Sequence, residues 1–133
     1  MRGLGVAPRY VGRTCFDYLV ELESEDQVRA LAPDFGTLKQ LGVRGVIVTA
    51  RSGNGSCDFV SRFFAPGAGI DEDPVTGSAH CGLAPFWAGR MGKKELIGHQ
   101  VSQRGGVVRV RLEGDRVKLG GQAVTVLRGE LLH

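Results

Sequence analysis

No stretch of this chain approaches the about 18 consecutive apolar residues that a membrane-crossing helix needs. Its opening residues, Met1-Arg2-Gly3-Leu4-Gly5, lack the apolar run and cleavage site of a secretory signal. A soluble, cytoplasmic protein with no membrane partner is the expectation. Cysteine is scarce: Cys15, Cys57 and Cys81 are the three. An odd number at wide spacing builds neither a disulfide framework nor a Cys-x-x-Cys metal site, so three reduced, buried thiols are expected. No charge of one sign dominates: 17 basic and 14 acidic residues leave a net +3. The basic residues are scattered, and aromatics make up 7%. Nucleic-acid binding needs cations gathered on one face, usually with stacking aromatics, so no nucleic-acid partner is expected. Proline is also sparse, at 5 residues, and the 21 glycines follow no three-residue period, which excludes a collagen-like chain.

What remains is enough to fold. With 133 residues and 42% hydrophobic content, the chain fits one domain, residues 1–133, with a core. The glycine excess predicts tight turns and short strands. Residues 14–22 alternate loosely with period two and read as a strand. Ser24 then caps a helix, with Gln27 in the capping-box position and an apolar stripe of Val28, Leu31 and Ala32. Pro33 interrupts it, and Asp34 caps a second short helix carrying Leu38 and Leu41. Residues 45–50 are a β-branched strand covered on both faces, and 57–64 the second arm of its hairpin. Residues 65–74 read as an irregular acidic loop. A helix follows over 77–92, with Ala79, Leu83, Phe86 and Trp87 near one face and small residues elsewhere, which suits an enclosed helix. Pro85 is expected to kink it or loosen one turn. Four strands close the chain, at about 95–103, 106–113, 115–120 and 122–131. The architecture is α+β: about seven strands curled around one central helix, with one or two short surface helices.

The strongest local feature is Asp71-Glu72-Asp73-Pro74-Val75-Thr76-Gly77-Ser78-Ala79-His80. Three carboxylates precede a helix start, with Thr76 as candidate cap and Gly77 leaving the backbone open to a ligand. The N–H groups of Gly77, Ser78 and Ala79 would point outward with the positive end of the helix dipole, a place for a carboxylate or phosphate. Asp73 stands beside it and is able to accept or steer a proton. The same pattern also fits an ordinary helix entry, because acids favour helix N-termini and Asp-Pro is a common way in. His80 either faces the ligand or packs inward. Without a second His or Cys at ligand spacing, no metal is expected. His99 and His133 are isolated.

Asp73-Pro74-Val75-Thr76-Gly77-Ser78-Ala79-His80 resembles the second-half signature of the phenazine-biosynthesis PhzF-like family, relatives of diaminopimelate epimerase. The resemblance extends to residues 58–67 before the motif and to residues 101–106 and 120–124 after it, so it covers nearly the whole chain in order. It implies a fold of two pseudo-symmetric domains, each a β-barrel around a central helix, with the active site in the cleft between them. It also implies an isomerase or epimerase that moves a proton on a small carboxylate metabolite without a cofactor. On this chain the resemblance implies that Asp73 is catalytic and that Gly77 and Ser78 contact the substrate. Glu72 and Thr76 are second choices, and His80 follows the signature without a chemical role.

One departure stands against these matches. The family's first domain carries a glutamate acid/base and a Gly-His-Ala motif, and neither occurs here. The chain therefore resembles the C-terminal half alone, with the N-terminal half absent and half a cleft, expected to be inactive or nearly so by itself. A domain cut from its neighbour exposes an apolar face, so the expected partners are a second copy of the chain, as a homodimer, or the missing first domain. The other reading is a non-catalytic small-anion or protein-binding module that keeps the fold.

Overall fold

The protein is described by a computed structural model covering residues 2–132, so His133 lies outside it. The two most apolar runs make the middle of the sheet. Gly45–Arg51 is β3 and Phe59–Ala65 is β4, paired antiparallel with Thr49 opposite Ser61. β3 is buried from Gly45 to Ala50, as an unbroken β-branched run requires. Beside it lies β2 (Asp17–Glu21), parallel to it, and then β1 (Tyr10–Arg13), antiparallel at the edge. On the other side β4 pairs in parallel with β6 (Glu95–Gln100), followed by antiparallel β7 (Gly106–Glu113) and β8 (Arg116–Gly120). A short β5 (Ile70–Asp73) pairs with β4 off this path.

Alternation along β3 and β4 sorts their side chains into two cores. Ile47, Phe59 and Phe63 face one way, onto Ala79, Leu83, Ala84 and Trp87 of α3 (Gly77–Met91). Val46, Val48, Val60 and Phe64 face the other way, onto Val28 of α1 (Glu25–Ala30), Leu38 of α2 (Phe35–Lys39) and Leu31 between them. The single Trp, Trp87, stacks on Phe59 with ring centroids 6.0 Å apart. It also donates its indole N–H to Thr49 Oγ1 at 3.0 Å, and Thr49 donates onward to the Val60 carbonyl at 2.7 Å. β6 passes so close to this stack that a Cβ at Gly98 would sit 2.6 Å from the Phe59 ring, so only glycine fits there.

The α+β mixture agrees with the sequence, but α3 is not enclosed: Cys81, Pro85 and Gly89 form an exposed face along it. The barrel does not appear among the described residues: β1 and β8 end the strand order as open edges. The described residues form eight strands. The run 14–22 is not one strand, because Thr14 Oγ1 accepts from the N–H of Phe16 and Asp17 and turns the chain between β1 and β2. The acidic loop contains β5, which no β propensity announces. Residues 122–131 form no strand.

Ser24 and Asp34 cap α1 and α2 through the N–H groups of Gln27 and Thr37. The Gln27 side chain reaches back to Glu23 N–H, one residue before the cap. α1 stops ahead of Pro33, leaving Ala32 exposed off the stripe. α3 runs through Pro85 without a break, since the carbonyl deprived of its partner, on Cys81, lies on the exposed side. The thiols are free, but Cys15 and Cys81 are exposed and Cys57 half-buried, so the expectation of three buried thiols fails. No helix of the described residues is long and apolar enough to cross a membrane.

Trp87→Ala removes both the stack and the bridge to Thr49. It is expected to lower the unfolding free energy by about 3–5 kcal/mol in urea titrations followed by circular dichroism. A loss under about 1 kcal/mol would show that the α3 core does not rest on this residue.

Candidate active site

The chain enters α3 through Asp73-Pro74-Val75-Thr76, and this entry is clamped from below. Gln100, the last residue of β6, is fully buried. Its Nε2 donates to the Asp73 carbonyl at 2.7 Å and to Thr76 Oγ1 at 3.0 Å, and its Oε1 accepts from Thr76 N–H at 2.7 Å. Ser102 donates to the Pro74 carbonyl at 2.7 Å. Val75 lies so close to Gly106 that a Cβ there would come within 2.3 Å of it. Thr76 stands in the cap position, but its hydroxyl does not cap the helix. It donates to Asp73 Oδ2 at 2.5 Å, a short bond of the charge-assisted kind.

Because Thr76 turns away, the N–H groups of Gly77, Ser78 and Ala79 have no acceptor among the described residues. Gly77 and Ser78 are exposed. The positive end of a 15-residue helix is thus open to an anion, with no acidic residue in its first turn. Arg44, just ahead of β3, adds to it. The nearly fully buried Asp17 holds this guanidinium by two hydrogen bonds, one of them Nε to Oδ1 at 2.9 Å. That contact raises the Arg44 pKa above its usual value, so the cation is permanent. Arg44 Nη2 also donates to Ser78 Oγ at 3.1 Å. An oxygen that accepts from arginine keeps its own O–H for another partner, so Ser78 faces the opening as a donor. Phe16 flanks the opening, under Arg44 at 5.1 Å, and Leu119 closes on Gly77 from β8.

Of the residues singled out by sequence, Asp73, Thr76, Gly77 and Ser78 come together here. Glu72 does not. Strand alternation sends it to the opposite face of β5, where its two oxygens take the Arg62 fork at 2.7 and 2.9 Å. Arg62 in turn donates to the carbonyls of Val28 and Leu31 at the end of α1. Glu72 is therefore a tether between β5, β4 and α1.

Of the two positions open to His80, the structure takes the inward one, away from a ligand at the opening: no part of it is exposed. One helical turn beyond Thr76, its Nδ1 bonds the Thr76 carbonyl at 2.8 Å, while its Nε2 has no partner beside Phe59 and Gly98. The residues missed by sequence reasoning are Gln100, Arg44 and Asp17. Gln100 left a trace, as a polar residue at the inward phase of Leu96-x-Gly98-x-Gln100. Arg44 left none, since it meets Ser78 across 34 positions of sequence.

Burial holds the His80 pKa below its ordinary value of 6.5, outweighing the bond to Thr76. The unfolded chain therefore binds this proton more readily than the folded one. Stability is expected to be complete above pH 6.5 and to fall as pH drops through the lowered folded value. NMR titration of the imidazole should find it neutral with the proton on Nδ1 at pH 6.5. A ring half-protonated at or above that pH would contradict its buried, neutral state.

A family model described as phenazine biosynthesis-like protein, PhzC-PhzF, matches residues 7–129. An uncharacterized isomerase of Halalkalibacterium halodurans is 53% identical over 130 residues, covering 98% of this chain and 49% of that protein. One from Pseudomonas aeruginosa is 54% identical over the same shares. Among solved structures, a PhzC/PhzF protein of Clostridium difficile superposes on 96% of this chain and 48% of its own, with TM-score 0.85 and 38% identity. A PhzF family protein of Enterococcus faecalis gives TM-score 0.82 at 43% identity, over 90% of this chain. The chain spans about half the length of the relatives it matches. With the match running through the helix entry and the strands on either side of it, the chain belongs to the phenazine biosynthesis-like PhzC-PhzF family.

Proposed function

We propose that this chain is one lobe of a cofactor-independent isomerase that moves a proton on a small carboxylate metabolite. The observation that carries this reading is the open start of α3, where three backbone N–H groups stand beside a Ser78 hydroxyl kept as a donor by Arg44. A carboxylate seated there meets fixed dipoles and no competing acid in the first turn. As a proton leaves the carbon next to that carboxylate, the negative charge that builds up is stabilised by donors already in place. Asp73 is the catalytic group of this lobe. One of its oxygens is fixed by Thr76, and the other has no partner among the described residues and remains to orient or accept a substrate proton. The second lobe, corresponding to the remaining half of the relatives, supplies the opposing acid/base. Without it the chain is a carboxylate-binding half-site, since proton transfer needs a group within hydrogen-bond reach on the other side of the carbon.

The test is solvent-deuterium incorporation into a panel of 2-amino and 2-hydroxy acids. The chain is assayed alone and co-expressed with the first half of the Halalkalibacterium halodurans relative. Background exchange alone and clear exchange in the pair are expected, with Asp73→Asn lowering the latter by about 10²–10⁴-fold. Carboxylates that shift the Gly77 and Ser78 amide resonances yet never exchange in either preparation would overturn the enzyme reading in favour of a small-anion module.

A further inference from the structure

The side-chain hydrogen bonds of the fully buried Gln100 all go to the entry of α3, and their donors and acceptors can be assigned without ambiguity. The Thr76 backbone N–H can only donate, so the carboxamide atom facing it at 2.7 Å is Oε1. The Asp73 carbonyl can only accept, so the atom facing it at 2.7 Å is Nε2. These two backbone partners exclude the flipped carboxamide. The second N–H of Nε2 then goes to Thr76 Oγ1 at 3.0 Å.

That bond settles the direction of the next one. The Thr76 hydroxyl has a single proton, and its oxygen is already accepting from Gln100. Its own proton therefore goes to its remaining partner, Asp73 Oδ2, at 2.5 Å. Thr76 is 7% exposed, which keeps water from competing for this hydroxyl. Oδ2 is thereby held as an acceptor. The other oxygen, Oδ1, has no partner among the described residues, and Asp73 itself is half-buried.

We infer that Gln100 is a positioning residue for Asp73, acting through Thr76, and that Oδ1 is the oxygen that meets the substrate. The inference rests on the enzyme reading above and deepens it. A proton that Asp73 takes from the substrate carbon forms its bond at Oδ1, while the C–H electron pair stays on the substrate. The Thr76 bond keeps the carboxylate from rotating, so Oδ1 holds one direction toward the reacting carbon. Gln100 touches neither the substrate nor the opening. Its part is to fix which way the Thr76 proton points.

Two readouts test this, the first without catalysis. In proton NMR of the chain alone, the Thr76 hydroxyl should give a resolved downfield resonance that exchanges slowly with water. In Gln100→Leu that resonance should move and exchange faster, because the hydroxyl loses its donor and Thr76 its backbone anchor. The second readout is deuterium incorporation by the chain paired with the first half of the Halalkalibacterium halodurans relative. Gln100→Leu and the near-isosteric Thr76→Val should lower kcat by about 10–100-fold, the cost of a misdirected reacting group. KM should stay within about twofold, since the carboxylate seat at Gly77 and Ser78 is untouched. Thr76→Ser keeps the hydroxyl and should recover kcat to within about threefold of the wild type. If Gln100→Leu does not fold, the contrast between Thr76→Val and Thr76→Ser carries the same test. A loss confined to KM, a Thr76→Ser variant as slow as Thr76→Val, or an unchanged hydroxyl resonance in Gln100→Leu overturns the inference alone. A wild-type pair that exchanges no deuterium overturns the enzyme reading, and the role of Oδ1 with it.

Discussion

Gln100 buries a carboxamide beneath the start of α3, and a buried carboxamide must find partners for its polar atoms. It finds them in the backbone and hydroxyl of two residues only, Asp73 and Thr76. That satisfaction draws the Thr76 hydroxyl away from the cap position and toward Asp73. The helix is then left with its first N–H groups open, and the aspartate with one oxygen committed and one available. A single polar residue at an inward strand position thus leaves the helix entry uncapped, with its first N–H groups open. The fold tolerates the uncapped end because α3 is held by its sides, through Phe59, Leu83 and Trp87.

Two arginines divide the work on either side of the sheet. Arg62 ties β5 to α1 by taking both oxygens of Glu72 and donating to the last carbonyls of that helix. Arg44 is held by a nearly fully buried Asp17 and reaches the mouth of α3, where it settles which atom of Ser78 gives and which accepts. Arg62 reaches Leu31 across 31 positions and Arg44 reaches Ser78 across 34. Both keep a cation near the edge of an apolar layer, against the rings of Phe64 and Phe63, where guanidinium stacking offsets part of the desolvation.

The sheet that carries these groups is unfinished in a physical sense. β1 and β8 are open edges, the mouth of α3 is rimmed by exposed Phe16 and Leu119, and the last apolar segment lies in water. Open edges and uncovered apolar side chains are what proteins ordinarily remove by pairing or burial. Phe16 and Leu119 stand at the start of α3 and the apolar segment at the end of the chain, which spans about half the length of its relatives.

The strongly patterned parts were legible in the sequence by itself. The β-branched run of β3, the Ser24 and Asp34 caps and the helix over 77–92 each follow from short-range rules of period and propensity. The signature from Asp73 to His80 carried the family resemblance and marked the start of α3. Only the tertiary structure separated the members of that signature. Residues adjacent on a strand point to opposite faces, which sent Glu72 to Arg62 and Asp73 to Thr76. Residues one helical turn apart share a side, which put His80 in the core beneath Thr76. Arg44 and Gln100 joined the site through contacts 34 and 24 residues distant, set by strand register and not by any local pattern. The β-like composition of 122–131 was equally plain, but a strand exists only where another strand's N–H and C=O groups lie beside it, and the described residues offer none.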